Sequence, residues 1–552
     1  MTHGGLVAAR RGHHVPEVTE PSSAGQPVLS AVLAGLLVLG AVAVVLVGVP
    51  SPLFDLDRHA VPKELVVHAT ALLALPALAW SVHRIRLTIP EYLVLAWVLW
   101  SVLSALFATN YWQAFRAIGL TISAGVIFWM ARRAAAGGRQ RTVLAGLSFA
   151  AVVAAGSGLA QAYGVEHWVF AESRAPGGTL GNRNFLAHLS VIMLPVLLML
   201  TLRARRTVTL LFGLLGIVAS VGLVTLTRSR AAWLAGAVAL ALLALSFLAS
   251  RAPGRWGLPP GRPRTVMLAL LLGALGALAV PNALNWRSDS PYRDTLGALV
   301  NRQEGSGRGR LIQYRNSLEL VRHSPVFGTG PGNWAVEYPR VSTDGDPGFA
   351  GWAPIPTNPW PSSDWVAMTS ERGPVGAGLL LLAGLSMAVM ATRRLRHEDP
   401  EKAHTAATLL AVVAATAVCG AFDAVLLLAP PTLMFFASVG VLLPNAGPMF
   451  ERPMPRRVTI FLLPLLVGMM TAFAGRSGAQ LAAILTAGTG QDIGQVNQAS
   501  RLDPGNLRLQ LIQAMRLPCN QARAHARQAL RLYPHHPSVK RAVARCRAGT
   551  FT

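Results

Sequence analysis

The chain has 552 residues, of which 52% are hydrophobic and 13% are charged, whereas ordinary globular proteins are roughly 25% charged. This composition excludes a set of soluble domains and predicts a protein that crosses a membrane many times. The formal net charge of +25 does not indicate nucleic-acid binding, because the basic residues form short clusters between apolar runs and not one basic face.

The apolar runs predict a bundle of membrane-spanning helices. Each is about as long as a helix that crosses the hydrocarbon core, roughly 17 to 25 residues. Thirteen such runs occur, at residues 28–49, 62–82, 91–109, 112–131, 142–163, 185–202, 207–227, 231–250, 265–284, 375–392, 405–428, 431–449 and 458–475. We therefore expect an all-α polytopic fold of about 12–13 transmembrane helices, within a membrane domain of residues 28–475.

The first apolar run follows Arg10 and Arg11, as a signal peptide would. It is longer than the hydrophobic part of a signal peptide and lacks a clear cleavage site. We therefore expect a retained helix preceded by an N-terminal tail, residues 1–27.

The basic loops predict the orientation in the membrane. They alternate along the chain and lie on the same side as the N-terminus, which the positive-inside rule makes cytoplasmic. The clusters are Arg84/Arg86, Arg132/Arg133/Arg139/Arg141, Arg203/Arg205/Arg206, Arg251/Arg255/Arg262/Arg264, Arg393/Arg394/Arg396/Lys402 and Arg452/Arg456/Arg457. A long polar loop between the ninth and tenth helices, residues 285–374, and a tail, residues 476–552, then face the periplasm.

The motif GGTLGNRNFLAH, residues 177–188, leads into the sixth helix. Its glycines, Asn182 and Asn184 form a turn whose backbone N–H groups and helix N-terminus can face an anion. His188 lies one turn after Asn184 on the same helical face. A plain helix cap explains the motif equally well.

Arginines occur on the expected outer side, where the positive-inside rule disfavours them. Arg228 and Arg230 lie in LTRSRAAWLAG, residues 226–236, at the tip of a helical hairpin. Two guanidinium groups suit a diphosphate, because each makes bidentate contacts with phosphate oxygens. The alternative is that these side chains anchor helix ends at the membrane interface.

The long loop contains SGRGRLIQYRNSLELVRHSPVFGTGPGNW, residues 306–334. Its arginines, among them Arg308 and Arg310, recur along a helical pattern, and three closely spaced glycines then indicate a tight backbone passage. We interpret the loop as facing substrate. Near the outer end of the eleventh helix, Asp423 is either functional or paired with an outer arginine.

The tail contains two related turns, ASRLDPGN at residues 499–506 and ALRLYPHHP at residues 529–537. Each resembles the turn between the helices of a tetratricopeptide repeat. Cys519 and Cys546 flank a helix pair there, and we expect them to form a disulfide on the outer side of the membrane.

These motifs together resemble the O-antigen ligase and polymerase superfamily of bacterial membrane glycosyltransferases, over about residues 90–445. The similar elements are GTLGNRNFLA, LTRSRAAWLA, the segment 306–334 and the block ending in ERGPVG, residues 371–376. The resemblance implies a fold like that of the C-type glycosyltransferases, without a metal or other cofactor. It implies transfer of a glycan from an undecaprenyl-diphosphate carrier at the periplasmic face of the inner membrane. The acceptor would be lipid A core, another glycan repeat or a protein.

The resemblance places the family's two diphosphate-binding arginines on Arg230 and Arg310. The family's His-Asn pair falls on Ser362 and Ser363, and a serine hydroxyl stays protonated near pH 7 and is no general base. Either Asp364 or His188 replaces the histidine, or positioning and arginine charge suffice, or the protein binds the carrier-linked glycan without turnover. We expect substrate contacts from Arg228, Asn182, Asn184, His188, Arg308, Ser362, Glu371 and Asp423.

Two other classes of protein fit the composition. A transporter or channel would use the same intramembrane His, Asp and Arg side chains, but the unusual charges cluster on the outer side and no inverted repeat is visible. A non-catalytic scaffold would bind the carrier-linked glycan and recruit partners through the tail.

Overall fold

The protein is a bundle of apolar helices with a polar cap on one side. A computed structural model describes residues 26–81, 84–171, 174–249, 257–286, 288–300, 306–342, 346, 359–444, 450–453 and 456–546. The expected N-terminal tail lies almost wholly outside the described residues. Within these ranges the fold is all-α and polytopic, as predicted, with one two-stranded sheet in which β1 (Arg84–Leu87) pairs antiparallel with β2 (Phe450–Pro453).

Helices coincide with all thirteen apolar runs. The first nine are α1 (Gln26–Leu46), α2 (Asp57–Ser81), α3 (Ile89–Ala105), α4 (Tyr111–Ala136), α5 (Gln140–Ala162), α6 (Arg183–Leu202), α7 (Thr207–Thr227), α8 (Arg230–Ala249) and α9 (Arg262–Ala279). The last four are α13 (Asp364–Arg394), α14 (Pro400–Phe422), α15 (Ala429–Leu442) and α16 (Arg456–Thr486). Eleven are long and apolar enough to cross a membrane among the residues described, and α3 and α15 are shorter apolar helices.

The predicted long loop is partly helical. It contains α10 (Pro291–Val300), α11 (Ser306–His323) and the short α12 (Trp334–Glu337), followed by a 3-10 turn at Tyr338–Arg340. The tail forms α17 (Ile493–Leu502), α18 (Leu507–Arg516), α19 (Cys519–Leu532) and α20 (Pro537–Arg545). Because the helices alternate in direction, this loop and the tail meet the ends of the bundle on the side opposite the basic loops. We call this the cap side.

Helix α13 begins at Asp364, eleven residues before the apolar run that predicted it. The early part escapes a hydropathy scan because it carries Glu371 and Arg372, both buried and 3.3 Å apart. Gly373 then breaks the helix, with φ 69° and ψ 170°, a conformation that strongly favours glycine. The helix therefore starts inside the cap and turns into the bundle at ERGPVG.

The glycine-rich passage after α11 packs its backbone on this break. The backbone N–H groups of Thr329 and Gly330 donate to the carbonyls of Ser370 and Glu371, both at 2.9 Å. A Cβ atom on Gly328 would lie 2.4 Å from the backbone of Glu371. These glycines allow the loop to pack closely against α13. The tight backbone passage predicted from the sequence therefore stabilises the fold.

The tail packs on the start of α4 and does not stand apart. The indole N–H of Trp112 donates to Asp503 at 2.8 Å, and the side-chain amides of Asn110 and Gln113 donate to the carbonyl of Leu532 and to the hydroxyl of Tyr533. A disulfide joins Cys519 at the start of α19 to Cys546 at the end of α20, with Cα atoms 5.4 Å apart. The tail is thus a set of short helices seated on the membrane domain, and its likeness to a tetratricopeptide repeat stays a prediction.

We predict that Gly505→Ala detaches this end of the tail. A Cβ atom at Gly505 would lie 1.8 Å from the Trp112 ring, and such overpacking costs about 1–3 kcal/mol. Hydrogen exchange across residues 493–546 should rise in this variant. Gly478→Ala is the control, since a Cβ atom there meets nothing within 4 Å, and equal protection in both variants would contradict the prediction.

Candidate functional site

A cavity of about 2020 Å³ opens on the cap side. Its walls come from helix ends and connecting segments. The lining includes residues from the segments 50–58 and 161–171, together with Ala175, Arg183, Asn184, residues 228–231, residues 283–286, Asp294, Thr295, Arg310 and Asp423. Every one of these residues lies at or beyond the cap-side end of its helix, or in the loop between α9 and α13. The cavity therefore belongs to one side of the membrane domain.

Arg230 and Arg310 both line this cavity, although they lie on different elements. Arg230 is the first residue of α8, and Arg310 lies in the second turn of α11. The two guanidinium groups are close enough for their charges to interact. The side chains that the resemblance assigned to one diphosphate thus face the same space.

Arg183 and Arg228 form a second basic pair, held by Trp286. Their guanidinium carbons lie 5.2 and 4.7 Å from the centre of the Trp286 ring, which stabilises both cations by cation–π interaction. All three side chains line the cavity. Arg183 was not among the expected site residues. The sequence feature that could have identified it is its position on the side of the membrane where the positive-inside rule disfavours arginine.

Arg228 adopts a left-handed backbone conformation, with φ 55°, and is the single non-glycine residue with positive φ in the described part of the chain. Such strain persists where the surroundings enforce it, often at functional sites. The Arg228 Nε donates to Thr295 Oγ1 at 2.8 Å. Partial burial lowers the pKa of Arg228, and the nearby carboxylate of Asp294 opposes this effect. Helix α10 therefore contacts the α7–α8 turn through the same side chain that faces the cavity.

The turn before α6 uses most of its backbone N–H groups for hydrogen bonds within the protein. The N–H groups of Gly177 and Gly178 both donate to the side-chain oxygen of Gln161 at 2.8 Å. Asn182 is the N-cap of α6, and its side chain accepts from the backbone of Asn184 at 3.0 Å. This is the plain helix cap that the sequence left open, because Gln161 at the end of α5 satisfies the turn.

Asn184 and Asp423 meet in the wall of the cavity. The Asn184 side-chain amide donates to Asp423 Oδ2 at 3.2 Å, and the other oxygen, Oδ1, accepts from the backbone of Ala424 at 2.9 Å. His188 lies deeper, with 1% of its surface exposed and its Nε2 3.5 Å from Ser229 Oγ. It is not among the cavity-lining residues.

Tyr314 connects Arg310 to the start of α13. It lies one turn after Arg310, and its hydroxyl donates to the carbonyl of Ser362 at 2.6 Å, with the carbonyl of Ala421 at 3.2 Å. Burial raises the pKa of Tyr314, so the hydroxyl stays protonated and keeps this donor. Ser362 therefore contributes its backbone to the cap and does not line the cavity, a departure from its expected substrate contact.

Asp364 occupies a structural position and not the expected catalytic one. It is 3% exposed, and its two oxygens accept from the backbone N–H groups of Val425 and Leu426, both at 2.9 Å. A carboxylate beside these N–H groups joins the start of α13 to the turn between α14 and α15. Because Asp364 lies outside the cavity lining, the geometry does not favour it as a base.

Glu371 and Arg308 also lie away from the cavity lining. Glu371 is buried, pairs with Arg372 and accepts from the backbone of Trp334 at 3.3 Å, so it holds α12 against α13. Arg308 lies on α11, and its side chain is exposed. Of the substrate contacts expected from the sequence, the cavity thus includes Arg228, Asn184 and Asp423, with Arg230 and Arg310.

The fold and the cavity define a polytopic membrane protein with a one-sided, arginine-lined site at the membrane surface. Residues 215–381 match the model of a family described as O-antigen ligase. The match supports the resemblance found in the motifs, over that segment of the chain. The matched segment runs from α7 to α13 and includes Arg228, Arg230 and Arg310. No curated protein matches the chain.

We predict that Asp364→Asn lowers stability. The amide replaces one acceptor oxygen by a donor that faces a backbone N–H group, and a buried unsatisfied donor costs about 1–3 kcal/mol. Thermal unfolding of the purified variant in lipid nanodiscs should show a lower midpoint than the wild type. The matched control is Glu319→Gln, because Glu319 forms an exposed ion pair with Arg322, and exposed pairs stabilise little. An unchanged midpoint for Asp364→Asn would contradict the structural role.

Proposed function

We propose that the protein transfers a glycan from an undecaprenyl-diphosphate carrier to an acceptor during surface polysaccharide assembly. The observation that carries the proposal is the convergence of Arg183, Arg228, Arg230 and Arg310 on one cavity. A diphosphate bears several negative charges, and planar guanidinium groups bind its oxygens in pairs. The family match supports glycan transfer in general, and the carrier and the acceptor are part of our proposal.

The arginines would stabilise the leaving group. When the bond between the anomeric carbon and the diphosphate oxygen breaks, negative charge grows on that oxygen. Fixed donors aimed at such charge act strongly in a site shielded from water. Arg230 and Arg310 then bind the diphosphate at the reacting end, while Trp286 keeps Arg183 and Arg228 from turning towards solvent.

Asp423 is the carboxylate that we propose to act on the acceptor. It lies in the cavity wall, and both His188 and Tyr314 lie within range of its charge and that of Arg310. An acceptor hydroxyl beside it can pass its proton to the carboxylate as it attacks the anomeric carbon. Asn184 orients this carboxylate through its hydrogen bond. Asp423 thus takes the role that the sequence offered to Asp364 or His188.

We also propose that the cap side faces the periplasm and that the bundle lies in a bacterial inner membrane. The basic loops, which lie at the opposite ends of the helices, support this orientation through the positive-inside rule. The one-sided cavity supports transfer over transport, because its wall contains no residue from the basic-loop side. The remaining alternative is a scaffold that binds the glycan without turnover. The following experiments distinguish it from a transferase.

Replacing either Arg230 or Arg310 by Ala should abolish most glycan transfer. Loss of one such donor typically lowers the rate about 10²–10³-fold, and Lys should restore little, since it lacks the planar fork. Each variant is produced in a strain lacking the native gene, and surface glycans are resolved on gels. Arg322→Ala on α11 is the control, because that arginine is exposed and pairs with Glu319. Normal glycan from both Ala variants would refute transfer by this site and leave the scaffold.

Asp423→Asn should lose transfer while keeping the fold. The amide keeps the size of the side chain but removes the basic oxygen, and loss of a general base typically costs about 10²–10⁴-fold. Glycan assembly and thermal unfolding are measured on the same variant, beside Asp364→Asn. We expect the Asp423 variant to lose activity without a large stability change, and the Asp364 variant to show the reverse. Full activity of Asp423→Asn would remove Asp423 from the mechanism.

A further inference from the structure

One end of the cavity carries aromatic and acidic side chains instead of arginines. Two segments form this end, residues 50–58 between α1 and α2 and residues 164–171 after α5, and we call them the rim loops. Trp168, His167, Glu166 and Asp55 from these loops line the cavity. Neither the motifs nor the proposed diphosphate contacts account for them.

Trp168 presents a broad, open surface. Its side chain is 52% exposed, and the His167 ring lies 5.2 Å away at a tilt and contacts Phe170 in turn. An aromatic face is electron-rich and attracts C–H bonds that lie across it. The apolar face of a pyranose ring consists of such C–H bonds. The indole can therefore serve as a stacking platform for one sugar residue.

The platform is fixed before any ligand binds. Arg58 donates to the carbonyl of Trp168 at 2.9 Å, and Gln161 donates to the carbonyl of Ala171 at 3.1 Å. Between these anchors, the side chain of Val169 is buried against Gly48. A preordered loop loses less entropy on binding than a mobile one. These contacts join the two rim loops and hold the backbone of Trp168 in the cavity wall.

The rim loops adjoin the arginine end of the cavity. The backbone N–H of Ala283 donates to the carbonyl of Ala162 at 2.8 Å, and Gly164 packs beside Ala283. Residues 283–286 in turn lead to Trp286, which stacks on Arg183 and Arg228. A glycan near the diphosphate site would thus meet the rim loops next.

Asp55 and Glu166 set the chemistry of the sugar. Both line the cavity beside the platform, and Asp55 is only weakly paired with Arg58, at 3.9 Å. Ionised carboxylates accept hydrogen bonds and donate none, so they suit hydroxyl or ammonium groups of a sugar. A tryptophan that merely anchors the bundle in the membrane interface would not need two carboxylates around it.

We infer that the rim loops form a saccharide subsite, in which a neutral or amino-bearing pyranose stacks on Trp168 and hydrogen-bonds to Asp55 and Glu166. The inference rests on the proposed function only for the source of the sugar, which is a residue of either the carrier-linked glycan or the acceptor. The subsite would govern which glycans the protein accepts, whereas the arginines recognise the diphosphate common to all carriers.

Saturation-transfer NMR on the full-length protein in nanodiscs tests the subsite directly. The probes are the free oligosaccharide released by mild acid from the host's lipid-linked glycan, and inorganic pyrophosphate as a probe of the arginines. Trp168→Ala should weaken oligosaccharide binding about tenfold and leave pyrophosphate binding unchanged. Trp168→Phe should retain most of the affinity, because it keeps an aromatic face. Glu166→Gln, a change at an exposed side chain, should weaken binding about threefold.

Trp80→Ala is the matched control, since Trp80 is 77% exposed at the far end of α2 and lies outside the cavity lining. Oligosaccharide binding that is absent in the wild type, or equal in Trp168→Ala and the wild type, would overturn the subsite. Loss of pyrophosphate binding in Arg230→Ala tests the proposed function separately, so either idea can fail alone.

Steady-state transfer assays with Trp168→Ala then identify the source of the sugar. A higher KM for the carrier-linked donor with an unchanged KM for the acceptor assigns the subsite to the donor glycan, and the reverse assigns it to the acceptor. A lower kcat with both KM values unchanged would contradict the proposed subsite, because the subsite binds the sugar in the ground state and loss of ground-state binding raises KM.

Discussion

The cap holds several guanidinium groups close together, and their mutual repulsion is the interaction that the surrounding structure must offset. Four arginines line one cavity, and like charges in a partly buried site repel more strongly than in water. The structure offsets this repulsion locally. The Trp286 ring contacts both Arg183 and Arg228, Thr295 accepts from Arg228, and the carboxylates of Asp294 and Asp423 lie in the same cavity wall. An anion that enters the cavity relieves the repulsion that remains.

Each arginine reaches the cavity from a different support, and these supports join beneath it. Arg310 is held through Tyr314, which binds the start of α13, and α13 is held through Asp364, which binds the turn after α14. The buried pair Glu371 and Arg372 then fixes the break at Gly373 on which the glycine passage packs. The polar residues of ERGPVG and of the segment before it therefore stabilise the fold, and they lie outside the cavity lining.

Sequence reasoning recovered the helices because burial in lipid requires long apolar runs, and hydropathy detects these directly. It placed the start of α13 too late, since a buried ion pair looks like a polar loop in a hydropathy scan. It grouped Arg230 with Arg310 through resemblance and not through spacing, and both side chains line one cavity. The distinction between Asp364 and Asp423 was beyond it. Both are carboxylates near helix ends, and only the folded structure shows that Asp423 lines the cavity whereas Asp364 lies outside it. Trp168 lay in a loop without a motif, and its role depends on neighbours distant in sequence.

The contacts of Asn110 have a consequence for exchanging parts between relatives. Its side chain donates to the carbonyl of Leu532 in the tail, its backbone N–H donates to Asn333 in the loop at 2.7 Å, and Asn333 in turn bonds Gly330 beside α13. A chimera that takes its tail from an O-antigen ligase would therefore replace one wall of the same hydrogen-bonded assembly that positions α11. Compatible chimeras need the tail, the start of α4 and the glycine passage from a single parent. These three segments are distant in sequence but must be exchanged together.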